Sequence, residues 1–567
     1  MERTNNSTSV KNERNANKQQ NSMHNEKYST SQTLVNYYLA LMFALFPVFF
    51  SNSYFDIRHD KYYFFIVLSG VIVFAVFTIY ICKVFSDTGS HPQILTNTSQ
   101  SNYRYKGESS KFSGKNSRFI FKGFNLPDIA MLVFLVASMI SAIFSNYKAD
   151  AFLGAETGRN NGLLIIAIYV AVYFVITRYF YFMEYIFYFL SASCIIVFTL
   201  AVLNTFYIDP LSMFVNISNE QTINDFISTI GNKNMLSSFI CITLPVLIAL
   251  AVLKGKGATK ILFYVASGLG FAALMVSTSD SGLLGICAFL LVFLIIISRK
   301  VSLLKRFFLT VSIMLAFSKS VAVLSYLCND THKEIVKIQI FFIFSNRVYI
   351  ILAVALIITA ILFFVDYKKP DLVFSKAVPI SLSIILVLAI VSAVYLIIYY
   401  SFFDLETNLG NLERYLRFNE KWGTHRGYMW ISSIEIFTDS SIWQKLFGCG
   451  PDTFYHAFEP YFSGLHKFGD SSTNAAHNEY LNYLITIGIT GVAAYVTAII
   501  SIVYRALKNA KHNPLALVFM SAVIGYSAQA FINISQPITT PLFFIFLALT
   551  ESAIRNADNN CNIPKSI

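Results

Sequence analysis

About fourteen apolar stretches of about 17–25 residues run through this 567-residue chain. About 20 helical residues are needed to cross a bilayer core. Inside hydrocarbon, a backbone must satisfy its own hydrogen bonds, so such stretches can only be helices. The expected fold is therefore an all-α, polytopic transmembrane helical bundle of about 14 spans. The spans lie at roughly 33–51, 62–83, 127–145, 162–180, 184–205, 234–253, 261–278, 282–298, 306–328, 348–366, 376–399, 477–504, 514–532 and 536–554. Composition agrees: 55% of residues are hydrophobic and 13% charged, where a soluble domain carries about a quarter charged.

The net charge of +12 is a topology signal before it is a binding signal. Basic residues concentrate in alternate loops, the pattern of cytoplasmic segments. With a cytoplasmic N-terminus, the inner loops are 84–126 (Lys106, Lys111, Lys115, Arg118, Lys122) and the turns at Lys254, Lys256 and Lys260. The turns at Arg299, Lys300, Lys305 and Arg306, at Lys368 and Lys369, and at Arg505, Lys508 and Lys511 join them. Removing one span would put half of these turns on the wrong side. This pattern argues against nucleic acid as a partner. The outer side holds 146–161, 206–233, 329–346 and the long, partly helical extracytoplasmic loop 400–476, which carries all three tryptophans, Trp422, Trp430 and Trp443.

The chain divides into a disordered cytoplasmic tail (1–30), the first two spans with the basic loop (31–126) and a transmembrane core (127–399). The outer loop (400–476), the C-terminal spans (477–555) and a cytoplasmic tail (556–567) follow. No cleavable signal peptide is expected, since a polar tail precedes an ordinary-length apolar block. Seven cysteines, none in a C-x-x-C pair, give neither a zinc site nor a disulfide framework. No internal repeat suggests an inverted-repeat transporter.

The residues able to carry chemistry cluster on the outer side. His477 and Asn478 stand where the long loop enters a span, with Gly488 and Gly491 on one face further along it. A histidine there either caps an interfacial helix or takes a proton from a hydroxyl, and the two glycines let a neighbouring helix approach closely. Arg426 precedes a helix bearing Trp430, Ile431, Ile434 and Phe437, and the stop signal Gly448-Cys449-Gly450-Pro451 follows. It is either an exposed loop arginine or a bidentate grip on phosphate, with His425 beside it as an alternative base. Arg159, between Gly154, Gly158 and Gly162, sits in a flexible turn or in a loop that approaches an anionic head group. Lys233 follows Asn232, which reads as a helix cap or as part of a phosphate contact. Asp280 opens a polar outer turn. Lys319 falls inside an apolar block, where charges are costly, or at its boundary. The histidines of the long loop are not at metal-ligand spacing, so no metal is expected.

These segments resemble the O-antigen ligase and O-antigen polymerase family. His477-Asn478 followed by Gly488 and Gly491 resembles its His-Asn…Gly-x-x-Gly signature, with Val492 where the family carries Thr. Gly158-Arg159-Asn160-Asn161-Gly162 and Gly231-Asn232-Lys233-Asn234 resemble two of its outer turns. Arg426 to Trp430, then Gly448-Cys449-Gly450-Pro451 and Phe454, resemble its Arg-x-x-x-Trp helix and glycine turn. Ser279-Asp280 stands where the family often has Ser-Arg. The resemblance covers about residues 120–555.

The resemblance implies an inverting, metal-independent glycosyltransferase that uses no cofactor. It moves a glycan from a polyprenyl-pyrophosphate donor to an acceptor hydroxyl on a lipid-linked glycan or another surface polymer. His477 is then the base, and Arg426, Arg159 and more weakly Lys233 bind the pyrophosphate. The location implied is the bacterial cytoplasmic membrane. A flippase of lipid-linked glycans is the competing function, yet flippases place charges in mid-span, and here the candidates lie at one face.

Overall fold

The computed structural model describes residues 29–88, 123–155, 159–254, 257, 259–336, 338–510 and 513–558. The two tails, most of the basic loop 84–126 and Gly158 lie largely or wholly outside the described residues. A helix stands at each of the fourteen expected spans. They are α1 (Thr30–Ala44), α2 (Ile57–Thr88), α3 (Leu126–Phe144), α4 (Leu163–Tyr179), α5 (Tyr185–Thr205), α6 (Lys233–Leu253) and α7 (Lys260–Val276). The chain continues through α8 (Asp280–Ile297), α9 (Val301–Leu327), α10 (Arg347–Lys368), α11 (Ala377–Ile398), α12 (Glu479–Asn509), α13 (Pro514–Gln529) and α14 (Thr540–Asp558). Ten are long and apolar enough to cross a bilayer, α4 and α7 are shorter apolar helices, and α1 and α14 fall outside both sets. Among the described residues, strand is confined to the pair Phe226–Ile227 and Gly231–Asn232.

Local chemistry sets where several helices begin. Ser29 and Gln32 form a capping box on α1. Asn125 and Asp128 form one on α3, with Pro127 in its first turn. Asn513 caps α13 ahead of Pro514. Each cap satisfies amides that have no partner within their helix.

In a bilayer the solvent is as apolar as the side chains, so close packing decides which helices meet. The α6 helix is the centre, buried nearly throughout. A Cβ on Gly525 of α13 would stand 2.3 Å from the Cys241 carbonyl oxygen of α6, and one on Gly285 of α8 would stand 2.6 Å from the Gly525 carbonyl oxygen. Three backbones thus converge where only hydrogen fits. At the other extreme, α11 has no buried residue. Its exposed surface, apolar but for three serines, is what a lipid-facing helix requires.

Charges within helices are tied down. Lys319 reaches the carbonyl oxygens of Ile343 (2.5 Å) and Ser345 (3.3 Å), closing the C-terminal end of the short helix Ile338–Phe344. Lys61 donates to the carbonyls of Phe46 and Pro47. At the ends of α3, α4, α12 and α14 far from His477, Asp128 takes Arg178 (3.1 Å) and Arg555 (2.6 Å), while Glu551 takes Arg505 (3.3 Å) and Arg555 (2.7 Å). These pairs bind four helices that are distant in sequence.

Candidate active site

The segment between α11 and α12 has a small core of its own. Met429, Phe454, Phe458 and Leu465 pack with Ala476 and with Ile485 of α12. That core seats the loop on the first turns of α12, where His477 stands.

His477 is fixed through its backbone. It has φ +50°, a left-handed conformation uncommon outside glycine. On one side, the Trp430 indole N–H donates to the Ala476 carbonyl oxygen at 3.0 Å. On the other, the Asn478 side chain caps α12 by accepting from the Leu481 amide at 3.0 Å. The imidazole itself hydrogen-bonds to no described residue. Just below, Glu479 accepts from Tyr495 (2.6 Å) and Tyr526 (2.7 Å).

Arg159 and Arg426 both act on that ring. Burial first, then the charges of Arg159 and Arg426, hold the His477 pKa down at about 3. The imidazole is therefore neutral at physiological pH. Burial also lowers Arg159 to about 10, with Arg58 lowering it further and Asp452 opposing. Arg426 is lowered by burial and supported by the carboxylate of Asp280. The structure thus brings three of the residues named from sequence, one neutral histidine and two arginines, within electrostatic reach of one another, drawn from the α3–α4 loop, the long loop and the start of α12.

The loop holding Arg159 is anchored by a residue the sequence reading passed over. Asp452 accepts from the backbone amides of Ala155 (3.0 Å), Arg159 (3.0 Å to each oxygen) and Asn161 (3.1 Å). The loop closes so tightly that a Cβ on Gly162 would stand 2.4 Å from the Gly154 amide nitrogen. The Arg159 Nε then donates to Asn474 Oδ1 at 2.9 Å, three residues before His477. Asp452 directly follows Gly448-Cys449-Gly450-Pro451. The signal was an acid closing a glycine turn, but nothing in sequence reveals that its partners lie near residue 159.

Arg426 follows Gly423, Thr424 and His425, three consecutive residues with φ between 60° and 67°. Two of them are not glycine, so this turn stores on the order of 1 kcal/mol or more per residue. His425, the alternative base, stacks on Phe468 with ring centroids 4.4 Å apart, and its Nδ1 lies 3.9 Å from an oxygen of Asp470. Trp422 and Trp430 pack together, centroids 5.1 Å apart.

Gly488 breaks α12. It has φ +70°, and a Cβ there would stand 2.4 Å from the Leu446 carbonyl. The break frees the carbonyls of Ile485 and Thr486, which accept from the amides of Cys449 (3.1 Å) and Gly450 (3.0 Å). What approaches Gly488 is the short helix Ile442–Phe447 of the long loop. Gly491 differs: its nearest neighbour is the Ile487 side chain of its own helix. Lys233 also lies apart, its Nζ reaching the Glu334 carbonyl oxygen at 3.4 Å, while Asn232 caps α6. The groups acting on Lys233 are Asp225 and Glu334, not the two arginines.

Among the described residues no cluster of His, Cys, Asp and Glu is arranged to hold a metal ion. The positive charge at the site comes from arginine. Residues 335–496 match the family model of O-antigen ligase. No curated protein matches the chain. The matched segment contains Arg426, Asp452, His477, Gly488 and Gly491. Arg159 and Lys233 lie outside it.

Proposed function

We propose a specific reaction of glycan transfer at a membrane, supported by the match of residues 335–496 to O-antigen ligase and by ten helices long and apolar enough to cross a bilayer. The chain is an inverting glycosyltransferase that needs no metal. It moves a glycan from a polyprenyl-pyrophosphate donor to an acceptor hydroxyl at the extracytoplasmic face of the bacterial cytoplasmic membrane, with the N-terminus in the cytoplasm. Product is a longer lipid-linked polysaccharide or a glycan ligated to another surface molecule.

The observation that carries the reading is His477, neutral, without a hydrogen-bond partner among the described residues and within the electrostatic reach of Arg159 and Arg426. A neutral imidazole takes the acceptor's hydroxyl proton as that oxygen attacks the anomeric carbon. The carbon–oxygen bond to the pyrophosphate breaks from the opposite face, and configuration inverts. The leaving pyrophosphate keeps the electron pair, and the two guanidinium groups stabilise its charge. Donor binding also changes the base. Its negative charge offsets the arginines, so the imidazole becomes more basic only when donor is present.

The charges inside helices speak against carriage across the bilayer. Lys61 and Lys319 are occupied by backbone carbonyls, which leaves the chemistry in the outer loops. His477→Ala and Arg426→Ala should each lower product formation on the order of a hundred-fold or more. The variants should still insert in the membrane, and wild-type activity should persist in EDTA. Normal product from either variant, with donor supplied on the outer side, would sink the assignment.

A further inference from the structure

A recess lies beside this site. It has a volume of 440 Å³, and its wall includes Phe144, Asn146, Ser440, Trp443, Gln444 and His456. None of the proposed catalytic residues is in its wall. We propose that this cleft binds a neutral sugar unit of a glycan substrate, away from the bond that reacts. The inference rests on the transferase reading above.

The lining chemistry selects the ligand. No lysine or arginine lines the cleft, so nothing there answers the charge of a pyrophosphate. The wall is also too polar for a polyprenyl chain. Asn146, Ser440 and Gln444 provide short, planar or hydroxyl hydrogen-bonding groups. Trp443 provides an aromatic face, 46% exposed, held edge-on by Phe144 at 5.3 Å and packed by Phe447 at 4.7 Å. A pyranose ring has an apolar face of C–H groups and a rim of hydroxyls, which matches an aromatic surface ringed by polar groups. Ligand sites commonly enclose about 300–1,000 Å³, so the cleft has room for a short piece of glycan.

Position supports the same ligand. Gly448, Cys449 and Thr453 line the cleft, while Asp452 in the same turn clasps the Arg159 loop. His456 bonds Asp150 at 2.8 Å and stacks on Tyr147 at 3.7 Å. Asp150 belongs to the helix Lys148–Leu153, which runs straight into Gly154 and the Arg159 loop. A glycan seated in the cleft would therefore touch the elements that hold the donor site, without occupying it.

The test uses the full chain in lipid nanodiscs. Trp443→Phe keeps the ring packing but removes the indole N–H and much of the face. Gln444→Glu removes the amide N–H donors but keeps the oxygen that accepts from Ser441, so the cap of this helix is retained. Each should raise KM for one glycan substrate about five- to ten-fold with kcat within two-fold. The substrate whose KM moves, donor or acceptor, identifies whose glycan the cleft holds. A soluble neutral oligosaccharide of the substrate, lacking lipid and pyrophosphate, should bind the wild type and His477→Ala equally and bind both cleft variants more weakly. Unchanged KM values with unchanged oligosaccharide binding would overturn the proposal. So would a loss confined to kcat. Binding is read without turnover, so a failure of the catalytic assignment at His477 leaves this result standing.

Discussion

Asp452 shows how much one side chain decides here. Three backbone amides and the Arg159 charge favour its carboxylate, but burial outweighs them and raises its pKa to about 6. As pH falls through that value, the carboxyl gains a proton and loses both its charge and part of its capacity to accept. The Arg159 loop loosens and donor capture weakens. His477 stays neutral down to about 3 in the free protein, so the acid limb of kcat/KM belongs to Asp452. Activity should decline below a midpoint near pH 6. Asp452→Asn should lower kcat/KM on the order of ten- to a hundred-fold across neutral pH and erase that limb. A variant that keeps the limb would assign it elsewhere. Folding feels the opposite sign. A carboxyl whose pKa is raised by the fold stabilises it most when protonated, and that contribution fades as pH rises towards about 6. The clasp is therefore kept at some cost to stability, as site geometry often is.

At the scale of elements, the break in α12 joins loop to membrane. A helix that continued through Gly488 would bury the Ile485 and Thr486 carbonyls in its own hydrogen bonds. Broken there, it offers them to Cys449 and Gly450, and Ser141 of α3 adds a bond to the Thr486 carbonyl at 2.7 Å. Gly488→Ala places a methyl on the Leu446 carbonyl and disfavours the left-handed φ. Destabilisation of about 2 kcal/mol or more follows, read as a lower melting temperature in detergent and faster proteolysis in residues 440–450. Gly491→Ala meets only a flexible Ile487 side chain and should shift both far less. Equal effects from the two would remove the docking role assigned to Gly488.

At the scale of the whole molecule, one end of the bundle carries the candidate site and the other the Asp128 and Glu551 ion pairs. In the proposed orientation, in which the positive turns face the cytoplasm, the latter end is the cytoplasmic one. A cysteine introduced at Asn146 in a chain cleared of native cysteines should react with an impermeant maleimide from outside the cell. One at Lys369 should react only after the membrane is opened. Reversal of that pattern would place the site on the cytoplasmic face and end the extracytoplasmic reading.

The positions of the helices were legible in the chain, and ten of the fourteen are long and apolar enough to cross a bilayer, because crossing is a local demand. Each span must be long, apolar and self-bonded within one stretch of sequence, so composition over about 20 residues suffices. His477, Arg426 and Arg159 were likewise visible, as polar groups in or beside the loops that join such stretches. Their convergence was not. Lys233 was named from sequence as a weaker phosphate contact than Arg159, and it turns to Glu334, while Asp452 drew no notice in the sequence and holds the Arg159 loop. The role of Lys319 also waited on the fold, since the carbonyls it closes belong to a helix some twenty residues away. Which outer turns meet depends on how fourteen helices pack side by side, and between apolar surfaces in lipid that choice rests on close fit and a few long-range hydrogen bonds. Such contacts pair residues hundreds of positions apart, and only the tertiary structure brings them together.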